Sequence, residues 1–258
     1  MTLESIEAWQ LAFVAAVMVL SAFVHGALGL GFPLIATPLV ALALDIKTAI
    51  VLVAPVTLVM TVLSVVRGGG WRQALARFWF LPLTMGTGSY AGTRLLIGAD
   101  PTPFLLVLAV LILVYLGLDR VKRGESMWVQ RHRLAIGLGV GLLAGFFEST
   151  ANVAVPPLII YLMLLGVTPI ATVQTLNLCF SVGKAVQVGT WAVYGNVATA
   201  VWLAAAVFAV PAVVTLFAGM RLRERIDATT YRRWLRGALW IMAALLFAQY
   251  AYLGHLAR

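Results

Sequence analysis

The sequence predicts an all-α polytopic membrane protein built from two inverted-topology repeats. Each repeat is expected to hold one broken helix, which forms a re-entrant hairpin, and three transmembrane helices. Hydrophobic residues make up 62% of the 258 residues, and charged residues only 10%. A crossing helix needs roughly 20 apolar residues, and apolar stretches of that order recur along the chain. Two of them are interrupted in corresponding positions of the two halves.

The first half contains five predicted spans, at 9–31, 33–44, 48–66, 75–97 and 102–118. The glycine-rich run Gly26–Pro33 breaks the first span. Pro33 then begins the second, because proline lacks the backbone N–H that a helix interior requires. The third span carries a stripe of hydroxyl side chains, namely Thr57, Thr61 and Ser64. Pro101 and Pro103 mark the entry to the fifth.

The second half contains five more predicted spans, at 134–150, 153–166, 169–192, 198–220 and 234–253. The first of these breaks at Gly145–Asn152, with Pro156 and Pro157 just beyond. The span 169–192 carries a polar stripe whose spacing follows one helical face: Gln174, Asn177, Ser181 and Lys184.

Local matches between the halves occur in the same order along the chain. Gly26 and Pro38 correspond to Gly145 and Pro157, and the hydroxyl stripe corresponds to the stripe that ends at Lys184. We therefore assign 1–118 to a first transmembrane repeat, 119–133 to a cytoplasmic linker and 134–258 to a second transmembrane repeat.

The distribution of basic residues distinguishes two topologies. Fourteen of the 18 Lys and Arg residues lie in three short loops, at 67–77, 119–133 and 221–236. Short basic loops beside apolar spans mark the cytoplasmic side of a membrane. If the segments 9–44 and 134–166 are re-entrant hairpins, all three loops face the cytoplasm. If each is one kinked crossing, the loops 67–77 and 221–236 fall on opposite sides of the membrane although both are basic. The charge pattern favours hairpins.

Composition also narrows the functional classes. The net charge of +9 follows from these loops, so we expect no nucleic-acid partner. The segment Met1–Ala8 lacks the basic residues of a secretory signal, and none is expected. The single Cys179 can form no internal disulfide. The sequence has no recognisable catalytic triad, metal-ligand cluster or nucleotide motif, so we expect neither an enzyme nor a cofactor.

Lys184 is the sharpest candidate for a functional residue. A cation at the bilayer centre costs at least about 2.5–3.5 kcal/mol on insertion scales, so such residues face the protein interior. The polar stripe around it predicts a lined cavity. A purely structural pair of Lys184 with Glu148 is the alternative. For the hydroxyls of Thr57, Thr61 and Ser64, the alternative to a role in binding is a hydrogen bond to a carbonyl of their own helix.

The tips of the two broken helices are candidate binding sites because of their backbone N–H groups. A helix that starts inside the membrane exposes unpaired N–H groups and a partial positive charge, which favours an anion. We expect a small anion to bind at eleven residues: Gly29, Gly31, Phe32, Thr57, Thr61, Ser149, Thr150, Asn152, Asn177, Ser181 and Lys184. His25 and Glu148 are the candidates for proton coupling, because an imidazole titrates near neutral pH and burial favours a protonated carboxyl group.

The sequence resembles the sulfite exporter TauE/SafE family over nearly its whole length. The resemblance rests on VHGALGLGFPLIATPLV with its echo LAGFFESTANVAVPPLII, and on LPLTMGTGSYAGTRLL with its echo VPAVVTLFAGMRL. It implies transport of small sulfur-containing anions such as sulfite and organosulfonates. Where glycines are expected for the family, this chain has Glu148, Ser149, Thr150 and Asn152. That departure favours a larger or carboxylated organosulfonate over plain sulfite.

We therefore expect a secondary transporter, an exporter of an organosulfonate or sulfite, in the bacterial cytoplasmic (inner) membrane. The expected partners are the small anion and the lipid bilayer, with a homodimer as the expected assembly. Two alternatives use the same residues. One is a passive anion channel, and the other is a transporter of a small carboxylate without sulfur.

Overall fold

The computed structural model describes residues 7–99, 126–152 and 155–223, together with single residues up to position 248. Every regular element in these ranges is a helix: α1 Ala8–Leu28, α2 Phe32–Val40, α3 Ile46–Gly68, α4 Trp71–Phe78, α5 Phe80–Gly98, α6 Met127–Arg131, α7 Arg133–Ala151, α8 Val155–Leu164, α9 Pro169–Tyr194 and α10 Thr199–Arg223. The predicted span 102–118, with Pro101 and Pro103, and most of 234–253 lie outside the described residues.

Four described helices, α1, α3, α7 and α10, are long and apolar enough to cross a membrane. Helices α5 and α9 have 19 and 26 residues and are of similar length. At 1.5 Å per residue, about 30 Å of hydrocarbon needs roughly 20 helical residues. By the same measure α2, with 9 residues, and α8, with 10, are about half as long as a crossing helix. The chain is a multi-pass membrane protein.

The two short helices turn the chain back, which makes both broken segments hairpins. Gln10, near the start of α1, donates a side-chain hydrogen bond to the carbonyl of Ala43, 2.8 Å away and just after α2. In the second half, the N–H of Ser126 donates to the carbonyl of Leu164, at the end of α8, over 3.0 Å. Each short helix therefore ends near the level at which its hairpin began, and the kinked single crossing is the wrong alternative.

Residues that tolerate left-handed backbone form the breaks. Gly29 and Gly31 lie between α1 and α2 with φ of 75° and 107°. Asn152 ends α7 with φ of 57°. Glycine has no Cβ, and asparagine is one of the few other residues found readily in this region. The helices that follow begin beside prolines, which have no N–H to leave unpaired.

The predicted loop at 67–77 is largely helical, and that prediction was wrong. Helix α3 continues to Gly68, and after Gly69 and Gly70 the separate helix α4 begins at Trp71. Only Ala74 and Phe78 of helix α4 are buried. The helix therefore needs only a narrow apolar face, and its overall composition is polar. The predicted span 75–97 accordingly comprises the end of α4, the junction at Trp79 and α5.

Helices from the two halves pack on one another in a reciprocal way. The first helix of the first half, α1, packs on α10, the last described helix of the second half, and α5 packs on α7 in the same manner. Glycines permit both crossings. A Cβ on Gly26 would overlap the carbonyl of Leu216, and one on Gly145 would overlap the carbonyl of Met85.

The two halves begin at opposite ends of the helical bundle. At one end, Gly68 of α3 lies against the side chain of Gln174 near the start of α9, so these two helices run antiparallel. At the other end, Arg94 stacks on the ring of Tyr194, 4.1 Å from its centroid. This arrangement is the one expected of inverted repeats. The domain boundaries at 118, 119 and 133 stay a prediction.

Apolar side chains form two clusters. Cluster A joins α1, α2, α3 and α10 around residues such as Met18, Phe32, Leu52, Met60 and Leu216. Cluster B joins α5, α7, α8 and α9 around residues such as Met85, Ala144, Leu158, Leu176 and Phe180. The first hairpin contributes to both clusters, because Phe32 lies in cluster A and Leu34 in cluster B. Helices α3 and α9 pack on each other.

Candidate functional site

Lys184 lies in the middle of α9 and is fully buried, with 0% of its surface exposed. Its ammonium group donates to the side-chain carbonyl of Asn152 at 2.5 Å and to that of Gln187 at 2.6 Å. An ammonium group has three N–H donors. The third has no hydrogen-bond acceptor among the described residues, although Glu148 Oε1 lies 3.7 Å from the nitrogen.

Glu148 lies one turn before the end of α7 and is 1% exposed. Neither of its carboxylate oxygens has a hydrogen-bond partner in the described part of the chain. The carboxylate lies against Gly183 of α9, and a Cβ at that position would overlap Oε2 in this rotamer of Glu148. Burying a charge without hydrogen bonds is costly. Glu148 and Lys184 thus form a loose ion pair rather than a hydrogen-bonded salt bridge.

The second break is held by its backbone and by one side chain. Asn152 accepts from Lys184 and donates to the hydroxyl oxygen of Thr37 in α2 at 2.8 Å. This bond joins the second break directly to the first hairpin. The carbonyl of Ser149 accepts from the side chain of Gln187 at 2.9 Å. The hydroxyls of Ser149 and Thr150 donate to the carbonyl of Phe146 within α7.

The first break is tied to α9 and to α1. Asn177 donates to the carbonyl of Gly29 at 2.8 Å. The N–H of Phe32 donates to Nδ1 of His25 over 3.3 Å, so one donor at the start of α2 is occupied. Gly31 is buried, yet a Cβ placed on it would meet no atom of the described residues within 4 Å. The structure therefore leaves open space beside Gly31.

The hydroxyl stripes are satisfied mostly within their own helices. Thr57 donates to the carbonyl of Val53 at 2.8 Å, and Thr61 donates to that of Leu58 at 3.1 Å. Ser181 donates to the carbonyl of Asn177 at 2.8 Å. In this arrangement these hydroxyls have no proton left for an anion. Ser64 differs, because its hydroxyl lies 3.1 Å from His25 Nε2 and links α3 to α1.

The structure brings most of the predicted residues into two hydrogen-bonded groups, one at each break, which share α9 and the first hairpin and which we together call the buried network. Members of this network are His25, Gly29, Phe32, Glu148, Ser149, Asn152, Asn177 and Lys184. Gly31 lies beside the network, whereas Thr57, Thr61, Thr150 and Ser181 bond within their helices. None of these placements tests the predicted roles in substrate binding, which stay predictions.

Three members of the network were not predicted as site residues. Gln187 follows Lys184 by three positions on the same face of α9, so helical spacing could have identified it. Ser64 belongs to the hydroxyl stripe, but the sequence does not reveal its contact with His25. The sequence gives no indication that Thr37 contacts the second break, because a single threonine in an apolar helix most often bonds to its own backbone.

The network can offer a small anion one strong interaction. A buried cation with a free N–H forms a charge-assisted hydrogen bond, which is about twice as strong as a neutral one. Within the described residues, no three His, Cys, Asp or Glu side chains lie close enough together to hold a metal ion.

Comparison with known proteins gives one match. The model of the family described as sulfite exporter TauE/SafE matches residues 14–246. No curated protein and no solved structure matches the chain.

Proposed function

Because the chain belongs to the sulfite exporter TauE/SafE family, we propose that it exports a small sulfur-containing anion, an organosulfonate or sulfite. The family match and the apolar helices identify a multi-pass membrane protein of a transporter family. The choice of anion and its binding site are our proposal. We also propose that the membrane is the cytoplasmic membrane of a bacterium, with the basic helix ends facing the cytoplasm.

The proposed site rests on the third N–H of Lys184, which donates no hydrogen bond to a described residue. Two neutral amide oxygens hold the ammonium group in place, and no described residue offers its remaining proton an acceptor within hydrogen-bond distance. A sulfonate or sulfite oxygen would complete this coordination. The ligand would lie where Asn152 and Thr37 join the second break to the first hairpin, with the space beside Gly31 available to the rest of the molecule.

The first break contributes less to this site than the sequence suggested. In the first turn of α2, Phe32 already donates to His25, and Pro33 has no N–H. We therefore assign the anion mainly to Lys184 and to the second break. His25 and Asn177 position the first break instead, since their bonds end on Phe32 and Gly29.

Exchange of labelled anions in proteoliposomes tests the proposal. Vesicles containing the purified protein are loaded with sulfite, methanesulfonate, sulfoacetate or acetate, and exchange with external label is measured. We expect exchange of at least one sulfur anion and none of acetate. Lys184→Met should reduce that exchange roughly 10–100-fold, because a charged hydrogen bond contributes about 1.5–3 kcal/mol.

Lys184→Arg is the matched variant, because it keeps the charge and changes the geometry. Partial activity in Lys184→Arg and loss in Lys184→Met would support a direct contact with the anion. Full exchange in folded Lys184→Met protein would refute the site. Saturation of the flux separates a transporter from a passive anion channel, which gives currents that rise linearly with concentration.

A further inference from the structure

The Lys184–Glu148 pair is arranged so that the two charges are stabilised separately. Lys184 keeps two hydrogen bonds to Asn152 and Gln187 whether or not Glu148 is ionised. Glu148 has no hydrogen bond to any described residue and depends on Lys184 alone, at 3.7 Å. A proton can therefore be added to Glu148 without removing a ligand of Lys184.

The burial of both groups restricts the net charge that the site can hold. Their side chains are 0% and 1% exposed, and an uncompensated charge at such depth costs several kcal/mol. With Lys184 protonated, two states are neutral. In one, ionised Glu148 pairs with Lys184 and the site is empty. In the other, Glu148 is protonated and a monovalent anion pairs with Lys184. A proton without an anion, or an anion without a proton, leaves one net charge.

We propose that Glu148 is the proton-binding residue of the transporter, and that it takes up one proton for each monovalent anion that binds at Lys184. This inference rests on the proposed function. The proton adds to a carboxylate oxygen of Glu148 and comes from water as the anion enters. Both leave together, so the anion is carried with a proton and without net charge. The substrate class is a monoanionic sulfonate or hydrogen sulfite.

His25, the other candidate, is less suited to this role. Nδ1 accepts from the N–H of Phe32, and a backbone N–H can only donate, so Nδ1 carries no proton. The proton of the neutral ring then lies on Nε2 and faces the hydroxyl of Ser64. A second proton on the ring would break the bond to Phe32. His25 is therefore a positioning residue for the first break.

Few other titratable groups of the described chain surround Glu148. The helix α9 contributes Lys184 and the Cys179 thiol, which is buried and free. From α5, Tyr90 and Arg94 are exposed. From α8, Tyr161 donates to the carbonyl of Arg133 at the far end of α7. Arg131 and His132 lie at that same end, before α7 begins, and both are exposed.

Proton uptake on ligand binding tests this inference. Purified protein in detergent, in weakly buffered solution with a pH-sensitive dye, is titrated with sodium methanesulfonate, whose charge does not change between pH 5 and 8. The wild type should take up one proton for each anion bound, and its affinity should fall as the pH rises. Glu148→Gln imitates the protonated carboxyl group. It should bind the anion with no proton uptake and with an affinity independent of pH.

Three further variants serve as controls. Cys179→Ala removes the neighbouring thiol and should leave proton uptake unchanged. Glu148→Asp keeps a carboxyl group and should retain uptake. If Lys184→Met is poorly folded because Glu148 loses its partner, the double variant Lys184→Met/Glu148→Gln removes both charges and should fold but not bind the anion.

The two proposals fail in different ways. Anion binding by the wild type without proton uptake, or uptake that persists in Glu148→Gln, would overturn the coupling and leave anion transport standing. If the wild type binds neither methanesulfonate nor sulfite, the proposed function itself is wrong and the coupling falls with it.

Discussion

At the scale of single residues, burial could be predicted from the sequence but hydrogen-bond partners could not. A lysine in the middle of an apolar helix must face the protein interior, and Lys184 is fully buried as predicted. The hydroxyl residues are different. A threonine can bond its own helix or a neighbouring one, and its rotamer decides between them. Thr57 bonds to a carbonyl of its own helix, whereas Thr37 accepts a hydrogen bond from Asn152 at the end of another helix.

This contrast gives a matched pair of substitutions. In Thr37→Val, the side-chain amide of Asn152 loses its acceptor, and a buried unpaired donor costs about 1–3 kcal/mol. In Thr57→Val, the hydroxyl and its bond are lost together, and the carbonyl of Val53 keeps its place in the helix. We expect Thr37→Val to lower methanesulfonate exchange about fivefold or more and Thr57→Val to change it little. Equal exchange rates in the two variants would contradict the assignment of Asn152 to the site.

At the scale of helices, the two breaks were predictable because glycine, asparagine and proline each have a distinct backbone preference. The short helix α4 was missed for a physical reason. A helix that buries only Ala74 and Phe78 needs few apolar residues, so its average composition looks like that of a loop. The end of α2 at Val40, before the predicted 44, also depends on contacts that the sequence does not show.

Two glycines on α7 test the packing of this helix on α5. Gly145 lies against the carbonyl of Met85, where a Cβ would overlap backbone, whereas a Cβ on Gly139 would meet no atom within 4 Å in the part of the chain that the structure describes. We expect Gly145→Ala to destabilise the protein by about 1–3 kcal/mol through overpacking. Gly139→Ala should be neutral or stabilising by up to about 1 kcal/mol, because alanine favours the helix.

Thermal unfolding in detergent, followed by intrinsic fluorescence, measures both variants. A lower transition temperature for Gly145→Ala alone would confirm the close crossing. If both alanines shift the transition equally, the two helices do not approach each other as closely as described.

At the scale of the whole molecule, the network lies where the two apolar clusters meet. The bonds from Asn152 to Thr37 and from Asn177 to Gly29 each join a helix of cluster B to the first hairpin, which contributes side chains to both clusters. The two repeats stay a prediction from local matches in the sequence, and the reciprocal packing of the helices agrees with it. The packing of helices from one half on helices of the other could not be predicted, because spacing along a chain does not reveal which helices touch.

A transporter that alternates access should move these clusters relative to each other. In a Cys179→Ala background, Gly68→Cys and Gln174→Cys place two thiols at the contact of α3 with α9. We expect a short thiol crosslinker to reduce methanesulfonate exchange to near background, and a cleavable crosslinker to restore it after reduction. The control pair, Arg67→Cys and Phe217→Cys, joins α3 to α10, two helices that both contribute to cluster A, and in the native protein the arginine stacks on the ring. Crosslinking this pair should leave exchange intact, and equal loss in both pairs would argue against relative motion of the clusters.

The reciprocal packing of α1 on α10 and of α5 on α7 has a consequence for biogenesis. During translation, the first half enters the membrane while the surfaces around Gly26 and Gly88 still lack the helices that cover them. Lipid must occupy those grooves until the ribosome has delivered the rest of the polypeptide. A nascent chain that stalls between the halves would therefore expose its grooves to quality-control proteases.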